Sequence, residues 1–407
     1  MLLFHHRQVL NQNQIRKATS MSDVISFVCP KCGNTDPTFI GLNNGKPYCR
    51  KCISFRGEHA CAHDIQKGTV SFKIGYSLSK EQKELSQKIV ENYLKGINTL
   101  VNAVCGAGKT ELVYGVIATA LSRGQTVCFA IPRRDVAIEL FYRIQNTFTS
   151  NSVVLVCGGH NKELEADIVV CTTHQLFRYN NYFDLVILDE IDAFPYQGDE
   201  VLGEMFQRAC RGHYIQMSAT PCDKVLEHFS KQNHSILELN TRFHRHPLPV
   251  PKVICKFAVW KSRALFNELK RFLEAGKQVF IFVPTISLCE YIYSILRKAF
   301  ENGDFVHSRC PDRQTKIKSF REGKTRYLVT TAVLERGVTV KDLQVIVYEA
   351  DHYLYNAATL IQISGRVGRK YDAPDGEVIF IATKTTDAIN DAIDTIKRKN
   401  QSLQGVS

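Results

Sequence analysis

The sequence predicts an α/β chain with two doubly wound parallel-sheet domains in succession, preceded by a small four-cysteine module. Three observations predict it. Short β-branched apolar runs alternate with helix-like segments through residues 71–230. The alternation restarts at residue 261, after a stretch with prolines at 247, 249 and 251. Two Cys-x-x-Cys pairs lie ahead of both. A length of 407 residues is enough for two or three domains, each with its own core. With 44% hydrophobic and 23% charged residues, a largely disordered chain is excluded. No run of about 18 apolar residues offers a membrane-spanning helix, and the opening MLLFHHRQVLNQNQ lacks the apolar centre of a signal peptide. The expected location is therefore cytoplasmic. In a reducing compartment the 14 cysteines read as thiols or metal ligands.

The elements follow in order. Residues 1–23 read as a disordered leader, 24–70 as the cysteine module, 71–240 as the first large domain, 241–260 as a linker and 261–407 as the second domain. In the first domain TLVNAV, TVCFAI, SVVLVC, DIVVCT, FDLVILD and YIQMSA read as buried parallel strands. LVYGVIATALSRG, closing on Gly124, and RRDVAIELFYRIQ read as helices between them. In the second domain QVFIFVP, RYLVTT, residues 343–348 and EVIFIAT are the strands. The net charge of +12 is uneven: residues 1–70 carry nine Lys/Arg against four Asp/Glu, and residues 261–407 carry 23 against 17. A basic surplus at both ends suits a polyanionic partner, though an ordinary basic surface accounts for it equally well.

Cys29 and Cys32 are followed, after sixteen residues, by Cys49 and Cys52. Two such knuckles can place four thiolates tetrahedrally about zinc, and a site with four protein ligands is structural, not catalytic. Nearby His59, Cys61 and His63 read as a solvated turn.

The segment 103–110, AVCGAGKT, follows an apparent strand and opens a helix. Small residues there let backbone N–H groups curl around a phosphate. Gly106, Ala107, Gly108, Lys109, Thr110 and Glu111 form the expected nucleotide-contacting run. Lys109 would reach the β- and γ-phosphates, and the Thr110 hydroxyl would hold Mg²⁺. Eighty residues on, the apolar run LVIL ends in Asp189, Glu190 and Asp192. Carboxylates at that edge of a parallel sheet face the phosphate loop. Asp189 would hold Mg²⁺, Glu190 would activate the attacking water, and Asp192 would pair with a neighbouring polar group. Late in the chain, Gln362, Gly365, Arg366, Gly368 and Arg369 form a glycine-flanked arginine pair. Arginines from a second domain can stabilise the charge developing on a γ-phosphate, which gives that domain a purpose.

Together 103–110, 189–192, Ser218-Ala219-Thr220 and 362–369 resemble superfamily 2 helicases, over residues 71–380. The resemblance implies two RecA-like domains and ATP and Mg²⁺ as cofactors. It implies that Gln82, in LSKEQ, reads adenine. It also implies that Pro132, Arg133, Arg134, Thr172, Thr173, His174, Thr285, Thr330 and Thr331 grip a single strand. Hydroxyls, cations and loop amides suit phosphate oxygens. The four-cysteine module ahead of the motor, with DEID, LERGVT at 334–339 and QISGRVGR, is similar to the ComFA family of competence ATPases. Thr339 stands where many relatives carry Asp. That resemblance implies a single-stranded DNA motor for uptake of transforming DNA, with ComFC, the ComEC channel and DprA as partners and a peripheral position at the inner membrane face. The alternatives are a duplex-unwinding helicase like PriA and a non-hydrolysing nucleotide- and DNA-binding adaptor. The intact Glu190, Arg366 and Arg369 weigh against the adaptor.

Overall fold

A computed structural model describes residues 27–404, apart from 62, 66, 69, 244, 245, 333–339 and 371. The expected leader 1–23 and the motif at 334–339 lie outside the described residues. A short hairpin comes first: β1 (Ile40–Asn43) pairs antiparallel with β2 (Lys46–Cys49). The turn between them holds Asn44 and Gly45 at positive φ, which these two residues tolerate.

Seven strands build the first lobe: β3 (Asn98–Ala103), β4 (Val127–Ile131), β5 (Val153–Val156), β6 (Ile168–Thr172), β7 (Phe183–Leu188), β8 (Cys210–Ser218) and β9 (His234–Leu239). They lie side by side in the order β5-β6-β4-β7-β8-β3-β9, with every pairing parallel. β4 and β6 are buried along their whole length, because helices cover both faces of the sheet. Six strands build the second lobe: β10 (Lys252–Cys255), β11 (Gln278–Phe282), β12 (Gly303–Val306), β13 (Tyr327–Thr330), β14 (Leu343–Tyr348) and β15 (Val378–Ala382). Their order is β10-β15-β14-β11-β13-β12, again all parallel. The chain thus carries two RecA-like parallel-sheet lobes and a four-cysteine cluster. Among the described residues no helix is long and apolar enough to cross a membrane.

Within the two lobes three strands escape the sequence pattern, and all lie at sheet edges. β9 is half-buried, and β10 and β12 have four residues each. An edge strand pairs on one side and needs no long apolar run. β10 and the first residues of the helix Ala258–Glu274 fall inside the stretch 241–260 read as a linker. The prolines at 247, 249 and 251 precede β10, so they remove none of its N–H groups. The second lobe therefore begins at Lys252.

Hydrogen bonds hold the three parts together. Arg178 donates to Glu58 O at 2.8 Å, Ala60 N to Arg178 O at 3.1 Å, and Arg208 Nε to Pro30 O at 3.1 Å; these seat the cysteine module on the first lobe. The last helix, Asp387–Gln404, reaches back across the lobes. Asn400 exchanges two 2.8 Å bonds with the backbone of Leu248, and Lys399 donates to Ala219 O at 2.8 Å.

Gly212 in β8 passes over the backbone of Asp184 so closely that a Cβ would stand 2.2 Å from its carbonyl oxygen. Gly212→Ala should cost about 1–3 kcal/mol through backbone displacement. Urea unfolding should show a lower midpoint while zinc content stays unchanged.

Candidate nucleotide site and metal centre

The phosphate loop starts where β3 ends. Gly106 and Gly108 stand at φ 84° and 74°, in the left-handed region. The positive φ favours glycine at Gly108, and a Cβ there would also lie 2.7 Å from Gln82 Nε2 and displace that side chain. The loop then feeds the helix Lys109–Leu112. Lys109 Nζ reaches back to Ala103 O at 3.4 Å, spanning the loop.

β7 delivers Asp189 and Glu190 to its carboxyl end, beside the loop. Asp189 Oδ1 accepts from Glu190 N at 2.8 Å. Burial pushes the Asp189 carboxyl up to about 6, against the pull of Lys109. Glu190 takes φ 57°, uncommon for a residue with a side chain. Asp192 accepts from Ser218 Oγ at 2.9 Å and Thr220 Oγ1 at 2.7 Å, both in its own lobe. Gln362 Nε2, from the second lobe, donates to the same carboxylate at 2.7 Å.

Gln362 sits on the helix Ala357–Ser364, with Cys105 Sγ 3.6 Å from its Oε1. Gly365 follows, packed so that a Cβ would fall 2.7 Å from Cys105 Cβ. This close approach carries the arginine segment to the phosphate loop. Arg366 is only 2% exposed. Burial and the neighbouring Arg369 draw its pKa well down. Arg369 Nε donates to Gly365 O at 2.8 Å. One cavity is lined by Lys109, Thr110, Asp189 and Glu190 from the first lobe and by Gln362, Arg366 and Arg369 from the second. Gly106, Ala107, Gly108 and Glu111 line it as well.

Gln82 stands against the phosphate loop. Its Oε1 accepts from Ser79 N at 2.8 Å and its Nε2 donates to Ala107 O at 2.8 Å. The carboxamide thus caps its own helix and braces the phosphate loop, and it is absent from the cavity lining. Three cavity or seam residues carried no sequence signal. Arg143 pairs with Glu111, and both line the cavity. Lys399 and Arg242 lie between the lobes, far from any motif in the sequence.

The nine residues expected to grip a strand separate into groups. Arg133, Arg134 and Thr331 line a second cleft between the lobes, together with Phe194 and Leu354. Pro132, Thr172, Thr173 and Thr330 are buried. Thr285 caps the helix Ile286–Leu296, its hydroxyl accepting from Leu288 N at 3.2 Å. His174 stacks under Phe55 of the cysteine module at 6.0 Å between ring centroids. Burial lowers its pKa.

The four cysteines Cys29, Cys32, Cys49 and Cys52 are buried, with all sulfurs within 4.8 Å of one another. Cys29 and Cys52 sulfurs are 3.4 Å apart, and Cys32 and Cys49 sulfurs 3.7 Å. A zinc tetrahedron with Zn–S bonds of about 2.3 Å has edges of about 3.8 Å, so the set fits zinc. Lys31 N lies 3.4 Å from Cys29 Sγ, the amide-to-sulfur contact expected of a knuckle. Cys29→Ser or Cys49→Ser should lose bound zinc and expose the module to protease, as metal binding and local folding are one equilibrium. Zinc analysis and limited proteolysis check this, and the first lobe should resist digestion in both variants.

Residues 83–229 match the DEAD/DEAH box helicase family, and residues 260–371 match the helicase conserved C-terminal domain. The competence protein ComFA of Bacillus subtilis is 33% identical over 92% of this chain and 86% of its own length. That of Streptococcus pneumoniae is 34% identical over 92% of this chain and 90% of its own. In fold, the chain resembles yeast Dbp5 bound to RNA and ADP BeF3, with TM-score 0.61 and 20% identity over 80% of this chain and 92% of that one. It also resembles RecG bound to a three-way DNA junction, with TM-score 0.58 and 18% identity over 80% of this chain and 47% of that one. Two parallel-sheet lobes, a nucleotide cradle and near full-length similarity converge: the chain belongs to the ComFA family of competence proteins, ATP-hydrolysing members of helicase superfamily 2.

Proposed function

We propose that this protein is an ATP-driven single-stranded DNA translocase, the cytosolic motor that draws transforming DNA inward during competence. The observation that carries the reading is the single cavity lined by Lys109, Thr110, Asp189 and Glu190 on one side and Arg366 and Arg369 on the other. The working units are the zinc module 24–70, the first lobe 71–240 and the second lobe from Lys252 onward.

The roles follow from position. Loop amides and Lys109 hold the phosphates. Thr110 and Asp189 would hold Mg²⁺, which offsets phosphate charge when bound. Glu190 orients and deprotonates the attacking water. Arg366 and Arg369 stabilise charge on the γ-phosphate; trans-acting arginines contribute roughly 10³–10⁵ in rate. Asp192 registers the second lobe through Gln362 and shares Ser218 and Thr220 with its own lobe. Closing on ATP and opening after hydrolysis would move the lobes' strand-facing surfaces in turn. Arg133, Arg134 and Thr331, around the second cleft, are the strand contacts best supported by position. ComFC, the ComEC channel and DprA are the partners this family role implies, at the inner membrane face.

ATP turnover measured with single-stranded DNA, duplex DNA and RNA tests the reading. Single-stranded DNA should stimulate most, and equal rates with and without it would contradict a motor on that strand. Lys109→Ala and Glu190→Gln should each lower turnover by at least about a hundredfold in folded protein. Strand binding should weaken steeply as salt rises, because released counterions supply much of the affinity. Anisotropy of a labelled oligonucleotide reads that slope.

A further inference from the structure

The chain that joins the lobes leaves β9 along the flank of the phosphate loop. Val104 N donates to Leu239 O at 3.0 Å and Phe243 N to Gly106 O at 3.4 Å. Between these two contacts stands Arg242, 2% exposed. Its stem lies against the loop: a Cβ on Gly106 would be 3.8 Å from its Cγ and Nε. Its far end is in the other lobe, where Nη1 donates to Gly368 O at 2.9 Å. Gly368 lies between Arg366 and Arg369. It stands at φ 66°, and a Cβ there would lie 2.0 Å from Pro374 O and 3.0 Å from Arg242 Nη1. The turn that carries the arginine pair is therefore fixed on one side by Pro374 and on the other by Arg242.

A buried guanidinium usually faces a carboxylate. Among the described residues Arg242 has none: burial, and after it the neighbouring cation Arg369, lower its pKa to about 10. Its Nε and Nη2 have no hydrogen-bond partner among the described residues. Keeping such a group between two lobes is costly. The one bond it makes across the seam falls within the segment that carries Arg366 and Arg369.

We propose that Arg242 is a positioning residue of the hydrolytic site: anchored beside the phosphate loop, it holds segment 366–369 in place and so sets where Arg366 and Arg369 stand. The proposal rests on the ATP-hydrolysis reading of the shared cavity. Arg242 does not line that cavity, so it acts through the two arginines.

The test uses the full chain with saturating single-stranded DNA: wild type, Arg242→Ala, Arg242→Lys, Arg369→Ala and the double variant Arg242→Ala/Arg369→Ala. Wild-type turnover reports on the ATPase reading by itself. Arg242→Ala should lower kcat on the order of a hundredfold, as misplaced catalytic groups do. KM for ATP and the Kd for a fluorescent ADP should stay within about threefold, since ground-state binding is untouched. Arg242→Lys keeps the charge but not the fork, and should recover part of the loss. The double variant should be no slower than Arg369→Ala within about threefold, the non-additivity expected when one residue acts through another. An Arg242→Ala kcat within about twofold of wild type, or losses that multiply in the double variant, overturns the proposal. Should Arg242→Ala show a lowered melting midpoint, Arg242→Lys decides: a reduced kcat with normal ADP affinity supports the role, and an unchanged kcat overturns it.

Discussion

The carboxylate of Asp192 joins the two lobes. A buried charge needs its hydrogen bonds filled, because leaving it unpaired costs several times what the bonds themselves contribute. Two donors, Ser218 at the end of β8 and Thr220 just beyond it, come from its own lobe. A third, Gln362, comes from the other lobe. Asp192 is thus best satisfied when the second lobe stands in one place. That placement brings the helix Ala357–Ser364 to the seam, packs Gly365 on Cys105, and sets Arg366 and Arg369 on the rim of the phosphate loop. The shared cavity is assembled by lobe placement, so it can be taken apart by lobe movement.

Charge at the seam is arranged for an occupant. Lys109, Arg366 and Arg369 line the cavity and Arg242 stands behind it, while Asp189 and Glu190 are the carboxylates at the end of β7. Burial and the charge of Arg369 depress the pKa of both Arg366 and Arg242, and burial raises that of Asp189. A nucleoside triphosphate would meet the arginine charge, and Mg²⁺ would meet that of the carboxylates.

Much of this was legible in the sequence because parallel strands buried on both faces are long apolar runs and phosphate loops use few residue types. The cysteine spacing likewise specified a tetrahedral set. Edge strands β9, β10 and β12 were not legible, since pairing on one side needs no apolar run; the stretch 241–260 looked like a linker for that reason. The brace of the Gln82 carboxamide on Ala107 O is a pairing of residues 25 apart that no local pattern encodes. The stacking of His174 with Phe55 of the cysteine module joins residues far apart in the chain and was not legible either. Arg242 and Arg143 left no trace in the sequence, because their partners lie across the fold.

The central claim is that one nucleotide is shared across the seam, bound by the first lobe and hydrolysed with help from the second. Single-turnover hydrolysis by Arg366→Ala, measured beside its affinity for a non-hydrolysable ATP analogue, tests it most directly. The account predicts affinity within a few-fold of wild type and a hydrolysis rate lower by roughly 10³, the contribution of a trans-acting arginine. Hydrolysis at the wild-type rate would contradict it, leaving the first lobe as a complete catalyst and the second lobe without a part in the chemistry.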